Sequence, residues 1–498
     1  MFVMSNAEFY LTNMALRNAK ATNTTSTSMT SGGGIYAWAS DVTVIGCEFK
    51  DMYAENWGGS IFTIFSRVEI HDSVFRWCRA GETSVAGQVD KPVGAGGAVG
   101  VDFGSRLMGG CRIEECYASK KGGGLQFARG TMTVMGSHFV NNTVGSENVE
   151  DSKEFGEGGD LSATTCRSAF GDENENCSLS YSTFRNSWAG QKGGAIRLCR
   201  GSDEHGYQIE VNSCTIVNSS TAVYIEDDAQ GEGGAISVGE DVTVVFRDSV
   251  ISKAYAGKKS VGGAVPFRLG DSTFPDEIPV SLSEVPMFRF GGPMFWFAGP
   301  MFRFTGTMSR FTGTMFVNNE VREVGAVVSG DDDCTIVIEG GTFVGNIAGE
   351  DGGVIRSRGA LNISGGNFSG NKADSRGGVI AMVRGTLFLE GGIFENNHAP
   401  DGGVAFIKVD DDRALTQALV TGGTYSGNKA DNGGVFNVDQ GAFFTVEGGN
   451  FTNNEADFGG FLYKKRTGKT SCSGTSIEIH SALDGGAIYA LDSAVLNW

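Results

Sequence analysis

Three runs of acidic residues are the first candidates for chemistry in this chain: Glu226-Asp227-Asp228, Asp331-Asp332-Asp333 and Asp410-Asp411-Asp412. Clustered carboxylates supply the oxygen ligands that Ca²⁺ prefers, and a carboxylate beside Arg or Lys could perform acid–base chemistry. Each run lies where the chain turns or is lengthened, and none has an Arg or Lys partner at a repeating spacing. We therefore interpret the runs as solvated turns, with calcium binding as the alternative.

Histidine and cysteine do not add a catalytic or zinc-binding motif. No two cysteines are spaced as CxxC, and no Ser/His/Asp or Cys/His set is supported by spacing. His138 and His398 flank a repeated motif and are predicted to lie at turns or on the surface. The sequence therefore singles out no catalytic, cofactor-binding or metal-ligating residue, and calcium at the acidic runs is the one cofactor that it suggests.

Composition narrows the class of protein. The 498 residues include 76 Gly and only 8 Pro, and the formal net charge is −19. A strongly acidic chain is a poor partner for nucleic acid, because it would be repelled by the phosphate backbone. The hydrophobic fraction of 40% argues against general disorder. A chain of this length exceeds what one ordinary core organises, so it should contain several domains or a repeat array.

Two short motifs alternate along the chain and favour the repeat array. The first is Gly-Gly followed by a variable and an apolar residue, and the second is Phe-x-x-Asn. In the C-terminal half the first motif recurs at steps of 25 to 31 residues. It begins at Gly32, Gly58, Gly96, Gly122, Gly158, Gly193, Gly233, Gly262, Gly352, Gly377, Gly402, Gly433, Gly459 and Gly485.

Short alternating segments between these motifs predict strands, as in Ala360-Leu361-Asn362-Ile363-Ser364. Two or three short strands per unit are typical of one coil of a parallel β-helix, and about fifteen coils stacked about 4.8 Å apart would form a rod of roughly 70 Å. We predict that the recurring Phe residues stack inside the rod and that the Asn residues form a ladder at a left-handed corner. These residues are Phe49, Phe75, Phe139, Phe184, Phe343, Phe368, Phe394 and Phe451, and Asn142, Asn319, Asn346, Asn371, Asn397, Asn428 and Asn454.

Two cysteines occupy the register of this asparagine. Cys78 and Cys116 fall three residues after Phe75 and Ile113 in what we predict to be neighbouring coils. Their Cα atoms would then be about 5 Å apart, which is within disulfide range. The alternatives are a disulfide bond or a pair of buried thiols.

The alternation of GGA[I/L/V] and FxxN resembles the repeats of the chlamydial polymorphic outer membrane proteins. The matching segments include Gly193-Gly194-Ala195-Ile196, Gly233-Gly234-Ala235-Ile236, Gly485-Gly486-Ala487-Ile488 and Phe343-Val344-Gly345-Asn346, and the resemblance covers nearly the whole chain. It implies an all-β, right-handed parallel β-helix on the pectin-lyase-like plan, exposed at a cell surface as an adhesin-type passenger. Members of that family also carry a signal peptide and a C-terminal membrane barrel, neither of which is visible in this sequence.

One β-helix domain over residues 1–498 is therefore expected, with irregular coils and long side loops in 1–270 and regular coils in 321–498. Between them, 271–320 contains a tandem duplication with a seven-residue period that begins at Pro286. An accidental insertion is the simplest interpretation. An apolar binding patch or a membrane contact over 286–304 is the alternative. Because solenoids usually need polar caps, we expect a longer natural protein or a cover over both ends.

These features predict a non-enzymatic cell-surface or secreted protein that acts in adhesion or as an extracellular scaffold. The alternative is a carbohydrate-active enzyme, a polysaccharide lyase or hydrolase of the pectin-lyase-like superfamily. Partners would be a glycan or a surface protein, contacted through the side loops. An aligned row of Asp and Arg on an exposed sheet would favour the enzyme, whereas a flat Asn/Thr/Ser face would favour the scaffold.

Overall fold

A computed structural model gives the architecture. It describes residues 2–22, 30–81, 94–145, 156–164, 177–190, 192–199, 207–221, 235–238, 242–256, 302–304, 308–321, 325–330, 335–409, 416–439, 441–466, 468–478, 481–491 and 495–497. The three acidic runs and most of the 286–304 segment lie outside these ranges. Within them the chain forms strands, turns and bends with no helix, and hence no helix able to cross a membrane.

The described strands pair in parallel with the equivalent strands of the coils before and after them to form a parallel β-helix. Paired residues are 25 to 31 positions apart in the regular coils and up to 65 positions apart elsewhere. Most regular coils contribute one strand to each of four faces, and the coil that contains Ile393–Glu395 contributes only the bridges of His398 to the third face. In the described part of the chain face 1 holds sixteen strands, which matches the predicted number of about fifteen coils. They are Glu8–Thr12, Asp41–Ile45, Arg67–His71, Gly104–Gly109, Gly130–Met135, Cys177–Ser180, Tyr207–Asn212, Val242–Arg247, Met308–Thr312, Thr335–Ile338, Ala360–Ile363, Gly385–Leu389, Thr416–Val420, Phe443–Val446, Lys469–Cys472 and Val495–Asn497.

Face 2 carries the recurring phenylalanine at the centre of three-residue strands. Its strands are Ala15–Arg17, Glu48–Lys50, Val74–Arg76, Arg112–Glu114, His138–Val140, Thr183–Arg185, Thr215–Val217, Val250–Ser252, Met315–Val317, Thr342–Val344, Asn367–Ser369, Ile393–Glu395, Thr424–Ser426, Asn450–Thr452 and Ser476–Glu478. Because a three-residue strand points only its middle side chain inward, each of these strands directs one large apolar side chain towards the core, which is an aromatic ring in most coils and Leu or Ile in the others.

Face 3 consists of very short strands that follow the asparagine ladder. They are Lys20–Ala21, Tyr53–Ala54, Arg79–Ala80, Tyr117–Ala118, Thr143–Val144, Trp188–Ala189, Ser220–Thr221, Tyr255–Ala256, Glu320–Val321, Ile347–Ala348, Lys372–Ala373, Lys429–Asn432, Glu455–Phe458 and Ser481–Asp484. The Gly-Gly pairs follow them and turn the chain onto the last face.

Face 4 follows the Gly-Gly turn and is built from two successive sheets of eight strands. The first sheet contains Phe2–Ser5, Ile35–Trp38, Ile61–Ile64, Val99–Asp102, Leu125–Phe127, Leu161–Thr164, Ile196–Cys199 and Ile236–Val238. The second contains Phe302–Phe304, Val328–Gly330, Ile355–Ser357, Ile380–Met382, Ala405–Ile407, Phe436–Val438, Leu462–Lys465 and Ile488–Leu491. Strands Ile236–Val238 and Phe302–Phe304 contact each other, so the two sheets continue one face.

The core is one continuous column of apolar side chains, and the predicted aromatic stack is confirmed. The ring centroids of Phe343 and Phe368 are 4.5 Å apart, those of Phe368 and Phe394 are 4.8 Å apart, and the ring planes in both pairs are nearly parallel. Tyr425 and Phe451 extend the stack at 4.8 and 4.6 Å. Stacked neighbours each contribute about 0.5–1.5 kcal/mol beyond their burial, so the stack stabilises the register between coils.

The asparagine ladder is confirmed over the regular coils. The Nδ2 of Asn371 donates to Asn397 Oδ1 at 3.0 Å and to the carbonyl of Phe343 at 2.9 Å. The same pattern runs from Asn319 to Asn454. Each buried amide is thereby satisfied by the coils on either side, which makes a polar row acceptable inside an apolar core.

One expectation about this corner is wrong. The left-handed backbone belongs to the residue before the ladder asparagine, for example Asn318, Asn396 and Asn453, whose φ values lie between 53° and 55°. The residue before the ladder asparagine turns the corner in the left-handed region, and the ladder asparagine then points its amide into the core. The predicted place of Asn142 in the ladder is also wrong, because its Nδ2 donates to Asp160 Oδ1 at 2.8 Å and not to another asparagine.

The Gly-Gly pairs have two different requirements. Gly377 has a φ of 65°, and a Cβ on it would collide with the carbonyl oxygen of Ile380. Gly378 lies against the carbonyl oxygen of Gly403 in the next coil, where a Cβ would also collide. The first glycine therefore permits the backbone conformation and the second permits the close stacking of coils.

Cys78 and Cys116 lie in adjacent coils, as predicted, since their neighbours Arg79 and Tyr117 are paired in register. Both are fully buried free thiols, so the structure shows the second of the two alternatives. Ser60 donates to the Sγ of Cys78 at 2.9 Å. Cys177, in contrast, is disulfide-bonded.

Candidate functional site

The residues that the sequence put forward do not form a site in the described part of the chain. The acidic runs considered for calcium lie outside it, and no group of three or more potential metal ligands occurs within it. His138 is exposed and bonds Thr183 Oγ1 through Nδ1 at 2.7 Å, and His398 is exposed as well, as predicted.

The structure instead shows a groove of about 290 Å³ on face 4 of the regular coils, which we call the face-4 groove. It crosses the successive strands Ala405–Ile407, Phe436–Val438 and Leu462–Lys465. The lining residues combine aromatic, amide and charged side chains. They are Arg376, Asp401, Phe406, Lys408, Asn432, Asn437, Asp439, Tyr463, Lys465 and Arg466.

The floor of the groove comes from the outward-pointing residue of each strand. Phe406, Asn437 and Tyr463 are register partners in three consecutive coils, while their strand neighbours point into the core. Tyr489 continues the row and stacks on Tyr463 with centroids 5.7 Å apart. Parallel stacking at about 4.8 Å per coil thus converts residues far apart in sequence into an aromatic–amide–aromatic row.

The rim of the groove comes from the residue that precedes each Gly-Gly pair. Asp351, Arg376, Asp401 and Asn432 occupy this position in four successive coils and are joined by parallel bridges. Arg376 donates from Nε and from one terminal nitrogen to the two oxygens of Asp351 at 2.8 and 2.5 Å. Its guanidinium also lies 5.0 Å from the centroid of the Phe406 ring.

Asp401 is held by amides from two coils. The Nδ2 atoms of Asn432 and Asn437 donate to its Oδ1 at 2.8 and 3.0 Å. Burial raises the pKa of Asp401 above its usual value, and repulsion from Asp439 adds to this, although the Asn432 hydrogen bond and Arg376 oppose the rise. The groove therefore places a carboxyl group that resists ionisation near a second carboxylate.

Cations surround the opposite end of the groove. Arg466 is 3.8 Å from Asp439, and Lys465 lines the groove without an ion pair among the described residues. Lys464 points the other way, is fully buried, and donates to the carbonyl of Ala442 at 3.3 Å, and burial lowers its pKa to about 8.

Sequence reasoning missed this groove because its residues carry no motif. The signal that could have found it is the column before each Gly-Gly pair, which reads Asp351, Arg376, Asp401 and Asn432 in the regular repeats. This column lies at the corner before the Gly-Gly turn and is buried or half-buried, so it is not the row of Asp and Arg on an exposed sheet that was expected to favour an enzyme.

Comparison with known proteins adds no relative, since no family model, curated protein or solved structure matches this chain.

Proposed function

We propose that this chain is a non-enzymatic cell-surface or secreted β-helix that acts in adhesion or as an extracellular scaffold and binds a glycan in the face-4 groove. The row Phe406–Asn437–Tyr463 carries this proposal. Phe406 and Tyr463 are only 4% and 9% exposed, so they line the groove with a narrow apolar surface, and the amide between them can form directional hydrogen bonds. This combination suits a ligand with apolar faces and many hydroxyl groups. The resemblance of the repeats to those of adhesin-type passengers supports the same function, and the disulfide at Cys177 suits an oxidising compartment.

Binding of the purified protein to an immobilised panel of neutral and acidic polysaccharides tests the proposal. The double variant Phe406→Ala/Tyr463→Ala should lose binding. Phe388→Ala/Phe443→Ala is the matched control, because these two rings are exposed on face 1. Circular dichroism should show that both variants keep the β-helix. Equal binding by the two variants, or no binding to any polysaccharide by folded protein, would overturn the proposal.

A second candidate is a polysaccharide-cleaving enzyme, and the Asp401–Asp439 arrangement favours it. A carboxyl group with a raised pKa can donate a proton while a neighbouring carboxylate acts as a base, as in glycoside hydrolysis. Depolymerisation of the same panel by wild type, with loss of cleavage in Asp401→Asn and in Asp439→Asn, would establish this candidate. Binding without any release of shorter chains would reject it in favour of the non-enzymatic function.

A further inference from the structure

The floor of the face-4 groove contains a hydrogen-bond acceptor with no partner. Asn437 is only 3% exposed, and its Oδ1 atom has no hydrogen-bond partner among the described residues. The orientation of the amide follows from its contact with Asp401, because Nδ2 must face the accepting carboxylate oxygen at 3.0 Å. Because a buried acceptor without a partner is destabilising, a ligand hydroxyl that donates to Asn437 Oδ1 would remove this cost.

The charges around the groove differ in sign from the charge of the whole chain. The chain carries −19, whereas the groove is lined by four cationic and two acidic side chains: Arg376, Lys408, Lys465 and Arg466, and Asp401 and Asp439. A local excess of positive charge in a concave site focuses the field on the site itself.

These cationic side chains differ in the carboxylate partners that they already have. Arg376 is held by both oxygens of Asp351, and Arg466 lies near Asp439. Lys465 is half-buried and has no carboxylate partner within ion-pair distance in the described part of the chain. An ammonium group partly removed from water gains most from an anionic partner that arrives with the ligand.

We propose that the glycan bound in this groove is acidic, with a carboxylate or sulfate group that pairs with Lys465 and a hydroxyl group that donates to Asn437 Oδ1. This inference rests on the proposed glycan-binding function and adds the class of sugar. The net negative charge of the chain argues against non-specific binding of an acidic polymer. A protein with a net charge of −19 repels polyanions at long range, so binding to one requires local contacts.

Pairs of polymers that differ only in charge test the inference on the full chain. Dextran sulfate is compared with dextran, and polygalacturonate with its methyl ester, which separates sulfate from carboxylate recognition. We expect wild type to bind at least one acidic polymer tenfold or more tightly than its neutral counterpart. Lys465→Glu should abolish this preference, and Lys465→Gln should reduce it several-fold. Lys469→Gln is the control, because it removes the same charge from an exposed position on face 1.

The outcomes separate the two proposals. Equal affinity for charged and neutral polymers would overturn the acidic-glycan inference and leave glycan binding in place. A preference for acidic polymers that Lys465→Gln and Lys469→Gln reduce equally would also overturn it, because the groove would then not be the source. No binding to any polymer would overturn the underlying function as well.

Discussion

Asp160 makes the stability of the irregular coils depend on pH. It follows the Gly158-Gly159 pair, where the neighbouring coils have Gly124 and Ala195, and it is fully buried. Its carboxylate accepts hydrogen bonds from Asn142 Nδ2 at 2.8 Å and from the hydroxyl of Ser187. Burial raises its pKa from 3.8 to about 8, although both hydrogen bonds oppose the rise.

The sign and size of the effect follow from this rise. Because the folded state holds the proton more tightly than the unfolded state, stability is greatest below the unfolded pKa and is lost as the pH increases towards 8. Each pKa unit corresponds to 1.36 kcal/mol, so the free energy of opening these coils should fall by roughly 4 kcal/mol between pH 5 and pH 8. Asp160→Asn keeps the shape of the side chain but cannot ionise, so it should remove the pH dependence.

Hydrogen exchange, corrected for the intrinsic effect of pH, measures the opening free energy coil by coil. Peptides that contain Leu161–Thr164 and Thr183–Arg185 should lose protection in wild type at pH 8 and keep it in Asp160→Asn. Peptides that contain Ile380–Met382 serve as an internal reference in the regular coils. Equal protection at both pH values in wild type, or a slope that persists in Asp160→Asn, would refute the reasoning.

Three further predictions concern the repeat itself. Asn371→Ala removes a ladder amide that donates two hydrogen bonds and accepts two from Asn346, so its coil should lose about 3 kcal/mol of opening free energy in the same exchange measurement. Gly377→Ala should prevent correct stacking, because its methyl group would meet a backbone carbonyl. Gly370→Ala should cost only about 1 kcal/mol, since it has a similar φ of 61° and open space around it; similar urea midpoints for the two variants would contradict this. Cys78 and Cys116 should resist alkylation in the native protein and react fully in denaturant, and mass spectrometry showing a bond between them would contradict the free-thiol state.

The sequence determined the architecture because a regular repeat specifies which residues of adjacent coils pair with each other. Phe343, Phe368 and Phe394 recur at steps of 25 and 26 residues, so stacking places them above one another, and it places the asparagines three residues later above one another as well. The position of the Gly-Gly pairs at a corner could also be predicted from the sequence, since few residues other than glycine fit a positive φ or a close approach of backbones.

Irregular coils were less predictable, because alternation alone does not say which side chains point inward. Arg106 lies in register between Val68 and Met132 and is buried within the rod, where burial lowers its pKa to about 9. Its segment, Gly104–Gly109, offers no residue pattern that would place a charged side chain inside.

The sequence by itself thus determined the fold class, the coil repeat, the aromatic stack and the asparagine ladder, because all of these follow from residues that recur at one spacing. Only the tertiary structure decided the face-4 groove. Phe406, Asn437 and Tyr463 share no residue type and belong to no motif, and they meet because parallel coils bring residues 26 to 31 positions apart to within one strand spacing. The partners of each side chain, such as the Asn432 and Asn437 amides on Asp401, depend on that stacking and are not encoded in any local pattern.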